Sequence, residues 1–252
     1  MKAMILAAGK GTRMGKITDS IPKVLLDING KSLLRLAVEK CSAAGFDDII
    51  VNVHHFADMV EEEIARLRRM GFRITVSDER DKLLETGGGL YKARNFFDEE
   101  PFLLYNADII TDFPVADLLA MHNEKKGLAA LAVRNREGKR FFLVNREGLL
   151  RGWCNISTGE RITAGEEDED KDLSAIAFSS IHIISPEIFN YMSEGVYTMT
   201  ALYLQLISDH KIFTLLNNDG YWFNVGTPEI LEEAREFLKS LTPDAQRPTP
   251  DA

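Results

Sequence analysis

The sequence predicts an α/β fold: a Rossmann-like mixed, mainly parallel sheet flanked by helices, with a small β-rich extension. Three observations predict it. Short β-type runs alternate with helical patterns over residues 1–134, as in parallel sheets joined by crossover helices. The first run, Ala3-Met4-Ile5-Leu6, leads straight into a segment of small residues, Ala7-Ala8-Gly9-Lys10-Gly11. Open α/β sheets take their ligands at such strand ends. After Arg134 the pattern changes to β-type runs separated by turns.

In chain order, strands are expected at 2–6, 48–53, 73–77 and 101–105, with helices at 32–44, 56–70 and 88–97. The first helix rests on Leu33, Leu34, Ala37, Val38 and Cys41, which share one face at helical spacing. A helix at 115–124 and a strand at 128–133 follow. Residues 141–145 and 149–154 read as two strands joined by a turn at Glu147-Gly148, and 175–184 alternates as a further strand. Helices at 186–191 and 199–208, a strand at 212–216 and a helix at 228–241 complete the pattern. No linker rich in Pro, Gly or Ser divides the chain, so 1–241 is expected to be one domain with halves 1–134 and 135–241. Residues 242–252 hold three prolines and read as an extended tail. The run Glu166-Glu167-Asp168-Glu169-Asp170 lacks the ligand spacing of a calcium loop and reads as a solvated loop.

Composition narrows the function classes. The 252 residues carry a formal net charge of −9, which argues against a nucleic-acid surface. No apolar run approaches the ~18 residues of a membrane helix, and the N-terminal run is too short for a signal segment. A cytoplasmic location is the default expectation. Cys41 and Cys154 form neither a metal spacing nor a disulfide framework, and the five histidines form no zinc or triad pattern. His54-His55 follow a strand and are candidates for lining the cleft; His122, His182 and His210 read as structural or exposed.

The chemistry concentrates in Ala7-Ala8-Gly9-Lys10-Gly11-Thr12-Arg13-Met14 and, further on, Pro22-Lys23. Small residues let the backbone approach a ligand, and successive N–H groups can cradle phosphate oxygens. Arg13 adds a planar fork and Lys23 a compact charge, a set suited to a triphosphate. A dinucleotide fingerprint fails because Met14 stands where its third glycine belongs, and a P-loop ending at Gly30-Lys31-Ser32 fails at Leu25. Asp108 sits just beyond the apolar strand at 101–105. It suits Mg²⁺, a hard cation that takes few protein ligands; the plainer reading is an N-cap for the next helix, a role that Thr111 or Asp112 could also fill. Gly87-Gly88-Gly89 would disfavour a helix start by about 1 kcal/mol each relative to alanine, and a functional loop is expected there.

These motifs, with Leu84-Glu85-Thr86-Gly87-Gly88-Gly89, Asn106-Ala107-Asp108, Phe178-Ser179-Ser180-Ile181 and Trp222-Phe223-Asn224-Val225-Gly226-Thr227, resemble in order those of the sugar nucleotidyltransferases. The likeness covers nearly the whole chain, and without a C-terminal β-helix it is greatest to the short N-acetylmuramate-1-phosphate uridylyltransferases. The resemblance implies transfer of a nucleoside monophosphate from a nucleoside triphosphate to a sugar 1-phosphate, first UTP with an N-acetylated amino sugar, then GTP with mannose or heptose. A non-catalytic sensing subunit is the alternative class, which loss of Arg13, Lys23 or Asp108 would mark.

The resemblance also implies roles for residues. Asp108 and Asn224 would hold Mg²⁺, with Asn224 weaker than the aspartate many relatives carry. Arg13 would hold the leaving pyrophosphate and Lys23 the α-phosphate. Ala7, Ala8, Gly9, Gly11, Thr12 and Asn106 would surround the nucleotide, with Thr86 and Gly87 against the base. Ser180 stands near the sugar where relatives usually have glycine. No segment matches the Glu-Lys-Pro by which longer relatives hold the sugar phosphate; Arg140 is a candidate substitute, and Trp153 and Asn155 are candidate sugar contacts. Oligomeric state is left open.

Overall fold

The computed structural model describes residues 1–164 and 172–241. The acidic run at 166–170 and the tail from Thr242 lie outside the described residues. Strand β1 (Lys2–Leu6) is followed by a 3₁₀ segment (Thr12–Asp19) and a 3₁₀ turn (Lys23–Leu25). A small hairpin, β2 (Asp27–Ile28) and β3 (Lys31–Ser32), leads to α1 (Leu33–Ala43). Then come β4 (Asp48–Val53), α2 (Ala57–Arg69), β5 (Arg73–Asp78), α3 (Glu85–Lys92), β6 (Phe102–Asn106), β7 (Ile109–Thr111) and α4 (Val115–Lys125). The second half holds β8 (Ala129–Arg134), β9 (Arg140–Val144), β10 (Leu150–Asn155), β11 (Glu160–Thr163) and β12 (Ser174–Ile184). It closes with α5 (Met199–Leu206), β13 (Ile212–Leu216), β14 (Trp222–Asn224) and α6 (Pro228–Leu241).

Ten strands form one mixed sheet in the order β11-β10-β9-β12-β6-β1-β4-β5, with β8 paired to β12 and β13 to β8. Strands β6, β1, β4 and β5 are mutually parallel. The eleven-residue β12 joins the two halves: its end pairs antiparallel with β6, and its beginning pairs with β9. Its register against β8 shifts between Phe178 and His182. Ser180, inside that bulge, takes φ 62°, a left-handed conformation that suits glycine better than an L side chain.

Side chains alternate across the sheet and bury both faces, as expected of parallel strands covered by helices. Ile5, Val51 and Tyr105 pack with Leu34 and Val38 of α1 and Ile64 of α2. Met4 and Leu104 face the other way, into a cluster with Leu90 of α3 and Tyr203 of α5. A third cluster joins Met14, Leu33 and Val225 to Leu231 of α6.

Most expected elements are present within a residue or two; the helix around the glycine run, the stretch at 186–191 and five short strands differ. The helix expected at 88–97 is α3 at Glu85–Lys92, followed by a 3₁₀ turn (Arg94–Phe96), so the glycine run lies inside a helix and forms no loop. Close packing explains its composition: a Cβ on Gly87 would sit 2.5 Å from the Tyr197 ring, and one on Gly88 would overlap the Gly195 carbonyl. The stretch Pro186–Tyr191 is 3₁₀. Strands β2, β3, β7, β11 and β14 have no counterpart among the expected strands. The mostly exposed β11 sequence, Glu-Arg-Ile-Thr, carries little local signal, and pairing with β10 makes it a strand.

Candidate active site

Three parallel strands end in register: Leu6 lies opposite Asn52 on one side and Asn106 on the other. A cleft of about 410 Å³ opens there, walled by residues 6–13, Lys23, Asn52, Thr86, Asn106, Asp108 and Gly226, among others. The loop at 7–13 is anchored by buried Met14, whose N–H donates to the Gly11 carbonyl at 2.9 Å, and by the Thr18 hydroxyl, which donates to the same oxygen at 3.1 Å. Gly11 takes φ 66°, and a Cβ there would press on the Lys23 stem at 3.0 Å. Ala7 donates its N–H to Asn52 Oδ1 at 2.7 Å.

Lys23, nearly buried, is ion-paired through Nζ to Asp108 Oδ2. The other carboxylate oxygen, Asp108 Oδ1, is buried without a hydrogen-bond partner among the described residues, and so is Asn224 Oδ1. The pairing of β14 with β7 sets Asn224 opposite Ile109, and Val225 donates its N–H to the Asp108 carbonyl at 2.9 Å. These two hard oxygens, one on the residue just before β7 and one at the end of β14, fit a small hard cation. Among the described residues no group of three or more His, Cys, Asp or Glu could hold a metal.

Asp108 does not cap the helix that follows it. Helix α4 has Pro114 at its N-cap, Thr111 Oγ1 accepts from the Phe113 N–H at 3.0 Å, and Asp112 accepts from Tyr221. Arg13 is exposed, has no ion pair among the described residues, and lies with its guanidinium over Gly226, where a Cβ would come within 3.0 Å of it.

Thr86 and Asn106 also border a second hollow, of about 440 Å³, with Arg140, Trp153, Ser180 and His182 on its walls. The two hollows therefore adjoin. Asn155 does not line either one: its side-chain oxygen accepts from the Ser157 N–H at 3.0 Å and shapes the β10–β11 turn. Gly87 is buried behind the cleft wall and spends its N–H on the Tyr197 carbonyl at 2.8 Å. Thr86 accepts from the Met199 N–H at 2.8 Å, which ties the cleft to α5. His54 faces the Glu79 carbonyl through Nδ1, and neither it nor His55 lines the hollows. His182 is buried with Nδ1 2.7 Å from the Tyr203 hydroxyl, and burial pushes its pKa down to about 3.

Sequence reasoning missed Asn52, Glu79 and the wall role of His182. A polar residue inside the apolar run Ile49-Ile50-Val51-Asn52-Val53 was the available signal for Asn52.

The family profile described as nucleotidyl transferase matches residues 2–240. An N-acetylmuramate α-1-phosphate uridylyltransferase of Caulobacter vibrioides is 30% identical over 250 residues, covering 92% of this chain and 96% of its own. A UTP–glucose-1-phosphate uridylyltransferase of Synechocystis is 30% identical over 98% of this chain, which spans 66% of that relative. The mannose-1-phosphate guanyltransferase beta-B of Xenopus laevis is also 30% identical, and the chain spans 62% of its length. Among solved structures, HddC from Yersinia pseudotuberculosis complexed with GMP-PN superposes with a TM-score of 0.75 at 18% identity, covering 94% of this chain and 99% of that one. A UDP-glucose pyrophosphorylase complexed with UDP-glucose gives 0.75 at 18% identity, covering 96% and 99%; both likenesses concern the fold. The chain belongs to the nucleotidyl transferase family of enzymes.

Proposed function

We propose that the protein transfers a nucleoside monophosphate from a nucleoside triphosphate to a sugar 1-phosphate. A phosphate oxygen of the sugar attacks the α-phosphorus; the bond from that phosphorus to the bridging oxygen breaks, and pyrophosphate leaves with the electron pair. The nucleophile is already ionised at neutral pH, so no general base is required. The task is to reduce repulsion between anions and to stabilise charge on the leaving group.

The observation that carries this reading is the pair of buried oxygens on Asp108 and Asn224, without a partner among the described residues, together with the Lys23–Asp108 ion pair. Asp108 and Asn224 would hold Mg²⁺, which when bound supplies charge neutralisation between the two phosphates. Lys23, seated against Asp108, would hold the α-phosphate. Arg13, with no ion pair among the described residues, is free to take the leaving pyrophosphate. The loop at 7–13 would cradle the triphosphate, with Thr86 against the base and Asn106 at the border with the adjoining hollow. Ser180 and Arg140 would face the sugar phosphate in the adjoining hollow.

Within this class, UTP with an N-acetylated amino sugar 1-phosphate is the preferred pair, supported by the Caulobacter relative, whose length this chain matches almost in full. The test is pyrophosphate release with Mg²⁺ across five nucleoside triphosphates and a panel of sugar 1-phosphates. Release confined to one pair supports transfer and identifies both substrates. No release from any pair, with nucleotide still bound, would sink the catalytic reading in favour of a sensing subunit.

A further inference from the structure

Glu79, just past the end of β5, is a fully buried acid that no step of the transfer uses. Its backbone is pinned: the N–H donates to the Val53 carbonyl at 2.8 Å, and its own carbonyl accepts from the Lys82 N–H at 3.0 Å. Both carboxylate oxygens are engaged. Oε1 accepts from Asn52 Nδ2 at 2.8 Å, and Oε2 accepts from the Leu84 N–H at 3.2 Å. Asn52 passes the connection on, because its Oδ1 accepts from the Ala7 N–H. Gly89 leaves the room for this: a Cβ there would stand 2.7 Å from Glu79 Oε1 and 3.1 Å from Asn52 Nδ2. Burial pushes the Glu79 carboxyl up; the hydrogen bonds from Asn52 and Leu84 and the charge of Lys92 oppose it.

The polarity of this chain is fixed at every joint. Ala7 and Leu84 are backbone donors, so the residue between Asn52 and Leu84 must accept on both sides. A carboxylate does so; an amide would turn its N–H₂ towards one of the two donors. The groups at the ends of the chain wall the nucleotide cleft: Ala7 on one side, and Glu85 and Thr86, next to Leu84, on the other.

Resting on the transfer reading above, we infer that Glu79 is a positioning residue for the nucleotide, acting through Asn52 on the Ala7 backbone and through Leu84 on the segment bearing Glu85 and Thr86. Glu79→Gln breaks the polarity, and so does Asn52→Asp. Combining the two exchanges restores it. The new carboxylate at position 52 accepts from Ala7 and from the new amide at position 79, and the oxygen of that amide accepts from Leu84.

Binding of UTP and of GTP, each with Mg²⁺ and without sugar phosphate, is measured by calorimetry on the full chain, alongside melting and the KM and kcat of pyrophosphate release. Each single variant is expected to weaken nucleotide binding at least tenfold and to raise KM more than it lowers kcat. The double variant should return to within threefold of the wild type. Lower melting temperatures with unchanged affinity would mark Glu79 as merely structural and overturn the inference. A folded double variant that stays tenfold weak would overturn it too. If Glu79→Gln does not fold, the double variant alone decides on the same criterion. Failure of the wild type to bind either nucleotide would instead remove the transfer reading on which the inference stands.

Discussion

Lys23 gives its ammonium to one oxygen of Asp108 and leaves the other oxygen of the same carboxylate buried and unpartnered among the described residues. The ion pair thus neutralises the acid without using it up. A buried acceptor left without a donor costs about 1–3 kcal/mol, and the fold carries two here, on Asp108 and Asn224. An incoming cation and its phosphate would satisfy both.

Asn224→Asp adds a second carboxylate to that pocket. Without Mg²⁺ the like charges should lower the melting temperature by several degrees, and Mg²⁺ should restore it. In pyrophosphate release the half-saturating Mg²⁺ concentration should fall several-fold. If neither quantity moves, Asn224 is not at the cation site. Asp108→Ala should lower turnover by ~10²–10³ or more.

Arg13→Ala tests the leaving-group role. The side chain is exposed and unpaired among the described residues, so stability in urea unfolding should stay within about ±0.5 kcal/mol, as for an ordinary surface change. Turnover should fall ~10²–10³-fold. Near-normal kcat would remove Arg13 from the chemistry.

Gly88→Ala tests the packing of α3 against the segment at 195–197. Helix propensity alone favours alanine by about 1 kcal/mol, yet the new Cβ would overlap the Gly195 carbonyl. Overpacking should win, with a net loss of about 1–3 kcal/mol in urea unfolding. A stabilised variant would show that the two segments separate without cost.

His182 sets an acid limit. Its pKa is held at about 3 in the fold by burial, against about 6.5 when unfolded. The unfolded chain therefore binds the proton first, and stability present above pH 6.5 is lost as pH falls towards 3. From pH 7.5 to 5.0 this group alone should cost about 2 kcal/mol. Burial lowers the pKa of His122 as well, with the same sign. His182→Gln should remove its share of the pH dependence, read from urea unfolding at the two pH values; an undiminished slope would assign the effect elsewhere.

By itself the sequence determined what is written at short range. Alternating apolar residues specify β1, β4 and β6; helical spacing specifies α1 and α2; and the small residues after β1, with Arg13 and Lys23, mark a phosphate-binding loop. These signals survive in a linear reading because periodicity and turn chemistry act over a few residues. What the tertiary structure decided lies at long range. The pairing of β14 with β7 brings Asn224 beside Asp108, 116 positions earlier in the chain. The glycines of α3, read locally as a loop, are helical because Tyr197 and Gly195 press against them. Asn155, read as a sugar contact, turns into its own hairpin. Glu79 carries no local sign of its role, because a buried acid becomes legible only when the donors of Asn52 and Leu84 close around it. Contacts between distant segments repay loop-closure entropy only once the sheet has assembled, so no window of sequence contains them.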